Sequence, residues 1–92
     1  MAEKVVSLKA TGADGMAYWL AVDSKDVKMT NGKGEVTVDG SGNHILVWWM
    51  VGEPGDALSI EGKEGTRIVV GVKETKIPSG SSKGAGYKRF KA

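Results

Sequence analysis

The chain has no cysteine, one histidine, two prolines and one phenylalanine among 92 residues, and these scarcities close off whole classes of chemistry. Without cysteine there is no disulfide staple and no thiolate nucleophile. Zinc is excluded as well, because its sites need clusters of histidine and cysteine. Long apolar runs are also missing. The longest, Ile45 to Val51, is far short of the roughly 20 residues that a membrane-spanning helix needs. The start, Met1-Ala2-Glu3-Lys4-Val5-Val6-Ser7, lacks the apolar stretch of a secretory signal. Together with the missing cysteine this leans toward the cytoplasm, since many small secreted domains are held by disulfides.

Glycine is abundant. Its 14 residues are about twice the average usage of roughly 7%. They are scattered rather than periodic, which excludes collagen and fits a chain with many short turns. Between these turns lie seven apolar segments, near 4–9, 16–23, 26–30, 34–39, 44–52, 57–62 and 66–73. Each is rich in Val, Ile, Leu, Met or Trp and bounded by Gly, Asp, Asn, Ser or Pro. No stretch sustains a 3.6-residue period with helix caps. The spacing predicts an all-β fold: an antiparallel β-sandwich of about seven strands, of immunoglobulin-like or fibronectin type III-like architecture. Such an architecture carries no function by itself.

Two turns are written into the sequence. Asn31-Gly32 favours a type I′ hairpin, in which both central residues take φ > 0. Extended along the strands, that register pairs Val27 with Val36, Lys28 with Glu35 and Met29 with Gly34. Glu53-Pro54-Gly55-Asp56 has the type II signature. Type II turns suit hairpins less well than primed turns, so this one is either a hairpin or an arch between sheets.

The end of the chain changes character. Residues 1–76 form the expected sandwich domain. Residues 77–92 form a Gly/Ser-rich basic segment, read as a tail or a closing strand. Ser79 to Gly86 has the composition of a flexible linker, and Tyr87-Lys88-Arg89-Phe90 follows it. Residues 73–92 carry a net charge of +5, and residues 1–72 carry −3.

Catalytic and metal constellations each lack a required member. His44 has no nucleophile and orienter at readable spacing, and reads as a surface or strand-edge residue. Asp39-Gly40-Ser41-Gly42-Asn43 mimics the start of a calcium loop, but position twelve is Met50, where a bidentate Glu is needed. The expectation is therefore no enzyme, no metal and no cofactor.

The segment Ile45-Leu46-Val47-Trp48-Trp49-Met50-Val51 is apolar on both faces of a strand. If Pro54-Gly55 closes a hairpin, Trp49 shares a face with Ile60, and Val51 with Leu58. Ile45, Val47, Trp49 and Val51 then face the core, and Leu46, Trp48 and Met50 face outward. Trp19, flanked by Ala17 and Ala21, is a second candidate for an exposed plate. Trp19, Leu46, Trp48 and Met50 are thus the candidate binding residues. One account has Ile77, Tyr87 and Phe90 folding back to cover the strip.

The function expected from this is a non-enzymatic interaction module acting through protein–protein contacts or self-association. The alternative is a carbohydrate-binding module with Trp19 and Trp48 as stacking plates and Asn43, Asp14 and Asp39 orienting the sugar. Single-stranded nucleic acid is disfavoured, because the body is net acidic.

Overall fold

The structure is a computed structural model describing residues 3–40 and 42–92. It contains eight strands: β1 (Glu3–Gly12), β2 (Ala17–Val22), β3 (Lys25–Val27), β4 (Lys33–Asp39), β5 (Asn43–Val51), β6 (Ala57–Glu64), β7 (Arg67–Lys76) and β8 (Lys83–Lys91). They form two four-stranded sheets in the orders β4-β1-β6-β7 and β3-β2-β5-β8, with every named pairing antiparallel. A sandwich architecture therefore holds, with one strand more than the sequence spacing implies. In the immunoglobulin order the first two strands lie side by side in one sheet. Here β1 and β2 belong to different sheets.

Alternation builds the core. β1 buries Val6, Leu8 and Ala10 between exposed Val5, Ser7 and Lys9, and β4 buries Val36 and Val38 between Glu35, Thr37 and Asp39. A strand's side chains point alternately to its two faces, so this pattern fixes which face packs inward. The opposite layer supplies Leu20, Val22, Val27, Leu46, Trp48, Met50 and Phe90, and Leu58, Ile60, Val70 and Ile77 complete one cluster.

Both turns adopt the backbone their residues favour. Asn31 and Gly32 have φ of 54° and 78°, and Thr30 and Lys33 exchange hydrogen bonds across them. The long hairpin register does not follow from this turn. Beyond the Thr30–Lys33 bridge the chain parts, and β3 joins β2 while β4 joins β1. Val27 and Val36 are both buried, but in different sheets.

At the second turn Gly55 has φ of 87°, and Asp56 N–H donates to the Glu53 carbonyl, as a type II turn requires. The Asp56 carboxylate accepts from Glu53 N–H, and Gly55 and Ile77 are bonded through their backbones. This turn is an arch, because β5 lies in one sheet and β6 in the other. The hairpin pairing of Trp49 with Ile60 is therefore absent, and the face assignment built on it is reversed. Leu46, Trp48 and Met50 are buried, while Trp49 and Val51 are exposed.

β8 explains the linker-like composition. It pairs with β5 over nine residues, from Asn43–Lys91 to Val51–Lys83. A Cβ on Gly86 would lie 2.5 Å from the Trp48 ring, and one on Gly84 would lie 2.6 Å from Met50 Cε. Glycine stands at these inward positions because Trp48 and Met50 fill the space a side chain would need. Ile77 and Phe90 join the core beside them, whereas Tyr87 points to solvent. Lys88 Nζ donates to the Gly71 carbonyl and ties β8 to β7 across the seam between the sheets.

Candidate functional site: the outer face of the second sheet

The outer face of β2, β5 and β8 is assembled rung by rung. Trp19 lies directly across from Trp49, which lies across from Ala85. On one side of this rung come Ala17, Val51 and Lys83. On the other come Ala21, Val47 and Tyr87, and then Ile45 and Arg89. Trp19 is 54% exposed, Trp49 45% and Tyr87 64%. Small neighbours leave relief between the rings. A shallow groove runs along Trp19, Trp49, Val51 and Ala85, with Lys83 at its end.

Of the four residues singled out in the sequence, Trp19 alone lies on this face. Leu46, Trp48 and Met50 are in the core, and Trp48 is only 6% exposed. Trp49, Val51 and Tyr87 take their place. The signal that would have found them is the Gly84–Gly86 alternation. Two glycines two apart on a paired strand mark a crowded inner face, which requires the bulkier Trp48 and Met50 to point inward. The Trp48 indole Nε1 is buried with no hydrogen-bond partner among the described residues.

His44, expected at the surface or a strand edge, lies near the start of β5 but is buried, at 6% exposure. It is the second residue of β5 and packs on Phe90, with ring centroids 5.5 Å apart. Its Nδ1 lies 2.6 Å from Asp23 Oδ2, and Asp23 Oδ1 accepts the Ile45 N–H at 2.9 Å. Burial pushes the Asp23 carboxyl up. The hydrogen bonds from Ile45 and His44, with the positive charges of His44 and Lys25, outweigh this and hold it below its ordinary value of 3.8. Asp23 and Ser24 form a two-residue turn with φ of 51° and 68°, a region that residues other than glycine rarely enter. The Asp23 bonds fasten that turn to β5. His44 Nε2 is buried without a partner among the described residues, so the pair is a structural clamp rather than an open acid–base couple.

Among the described residues no group of three or more His, Cys, Asp or Glu side chains converges as a metal site would require. Ser41 of the calcium-like loop lies outside the described residues. The polar groups named for sugar recognition are dispersed. Asp14 precedes β2, Asn43 begins β5 at the end away from Trp49, and Asp39 ends β4 in the other sheet. Among the described residues no helix is long and apolar enough to cross a membrane.

Fold and site together define a compact two-sheet all-β sandwich without a recognisable catalytic motif, carrying an aromatic patch on one outer face. No family model, curated protein or solved structure matches the chain.

Proposed function

We propose that the chain is a non-enzymatic interaction module that works through protein–protein contacts made on the outer face of β2, β5 and β8. The observation that carries this reading is the exposed Trp19–Trp49 rung, continued by Val51 and Tyr87. Exposed apolar residues that stand singly need no explanation, but contiguous ones mark interaction surfaces. Trp and Tyr are also enriched in the cores of protein interfaces. The likeness to immunoglobulin and fibronectin type III domains extends to sandwich architecture alone and adds nothing to the reading.

A photo-activatable cross-linker tests it. Placed at Ala85, on the aromatic face, it is expected to yield protein adducts in the cells that make the chain. Placed at Thr37, on the outer face of the other sheet, it is expected to yield none. The Ala85 adducts should vanish when Trp19→Ser and Trp49→Thr are added. Equal adducts from both faces, or adducts that survive loss of both indoles, would contradict the reading.

Carbohydrate binding is the second reading, favoured by the side-by-side indoles of Trp19 and Trp49. Sugar rings can stack on such plates. The dispersed positions of Asp14, Asn43 and Asp39 count against it, because orienting polar groups must converge on the ligand. A glycan array showing binding abolished by Trp19→Ala would reverse the preference.

A further inference from the structure

We propose that the partner on this face is a second copy of the chain, packed face to face about a two-fold axis parallel to the strands. The inference rests on the reading above and names its occupant from the placement of charge. β2 carries no charged residue, and the one titratable side chain of β5, His44, is buried. The middle of the face is therefore uncharged and apolar. The two rims differ in sign. Asp26 lies on the β3 rim, opposite Ala21 and so on the same face as Trp19. Lys25, the other charged residue of β3, pairs with Val22 and belongs to the opposite side of that strand. Lys83, Arg89 and Lys91 lie on the β8 rim, on the same face as Ala85 and Tyr87.

A two-fold axis parallel to the strands is the arrangement in which these rims complement each other. It lays β2 of one copy over β5 of the other and the β3 rim over the β8 rim. Asp26 of each copy then meets the row that holds Tyr87, with Arg89 one row away, and each contact occurs twice, as an isologous interface requires. Trp19 of one copy comes over Trp49 of the other, with the recess beside Ala85 available to the opposing rings. An axis across the strands would instead stack β8 on β8 and bring Lys83 toward Lys91, like charge on like.

Sedimentation velocity from micromolar to millimolar concentration tests the inference on the full chain. Wild type is expected to form a dimer that dissociates on dilution. Asp26→Arg and Arg89→Asp should each weaken association by about tenfold or more, and the doubly swapped variant should recover most of the loss. Trp49→Thr should be monomeric throughout. A wild type that stays monomeric at millimolar concentration overturns the inference, as does a double swap no better than the single changes. If the wild type stays monomeric while the Ala85 adducts persist, the face is still a protein interface but its partner is a different chain. If it dimerises and neither the charge changes nor Trp49→Thr has any effect, the dimer uses another surface and the inference is overturned, while the Ala85 adducts decide the reading of this face. A persistent monomer that binds oligothymidylate or cellohexaose would make the face a ligand platform and overturn the inference.

Discussion

The two sheets share one core but present opposite outer faces. On β1 and β4 the residues between buried positions include Ser7, Lys9, Lys33, Glu35, Thr37 and Asp39. Lys4–Glu64, Lys63–Glu61, Arg67–Glu64 and Lys76–Glu74 form ion pairs on the strands of this sheet, and Val5 and Ile68 are its singly exposed apolar residues. On the other sheet the same positions hold Trp19, Val47, Trp49, Val51 and Tyr87, and the acidic side chain tied to it, Asp23, is engaged by the hydrogen bond from His44. A solvated outer face costs nothing beyond ordinary hydration. An apolar one is kept out of water only if something covers it. The fold therefore separates a polar outer face from one of exposed aromatic and aliphatic side chains, and the proposed contact rests on the second.

The sharpest way to break this comparison is to truncate neighbouring tryptophans. Trp48→Ala should cost about 3–5 kcal/mol, the range for removing a buried aromatic, because it empties the space under Gly86. Urea or thermal unfolding reads this directly, and a loss below about 1 kcal/mol would mean that Trp48 is not core. Gly86→Val comes next. Its Cβ would be forced against the Trp48 ring, and overpacking of this kind costs about 1–3 kcal/mol. An unchanged stability would show that β8 does not lie where the inner face requires it.

The clamp gives a smaller effect with a definite pH dependence. Because the folded Asp23 carboxyl sits below its ordinary value, its contribution is fully present above the unfolded value. It is lost as pH falls through the folded one. Asp23→Asn, which tolerates the positive φ, should lower stability by about 1 kcal/mol or less near neutrality, reduced by partial exposure of the carboxylate. The gap to wild type should close below about pH 3.8. A gap that stays constant from pH 7 to pH 2, spanning that loss, would remove the charge from the account. Smallest of all, Trp49→Thr should change monomer stability by about 0.5 kcal/mol or less, since the site is exposed and Thr suits a strand. A loss comparable to that of Trp48→Ala would put Trp49 in the core.

The same contrast decides how much was legible in the sequence. On β1 and β4 a one-residue slip would bury Lys9 or Glu35, so Leu8, Val36 and Val38 are readable without a structure, whereas two adjacent valines leave Val5 and Val6 open until the fold buries Val6. The turns at Asn31-Gly32 and Pro54-Gly55 were readable too, because their backbones need those residues. Legibility fails on β5, where both faces are apolar and a slip costs nothing in hydrophobicity. There the choice of face rested on the Pro54-Gly55 turn, which the sequence leaves open between a hairpin and an arch; the faces assigned for the hairpin case are reversed because the turn is an arch. The remaining information lay in β8, whose glycines imitate a linker because they yield space to Trp48 and Met50. The burial of His44 had no sequence signal, since Asp23 lies 21 residues away on a turn that only the fold brings to it.

Hydroxyl-radical footprinting of the three indoles across a dilution series tests the central claim most directly. The account requires Trp48 to be protected at every concentration, while Trp19 and Trp49 are protected when concentrated and become labelled together on dilution. Trp48 labelled as fast as Trp49, or Trp19 and Trp49 labelled at a rate independent of concentration, would contradict it.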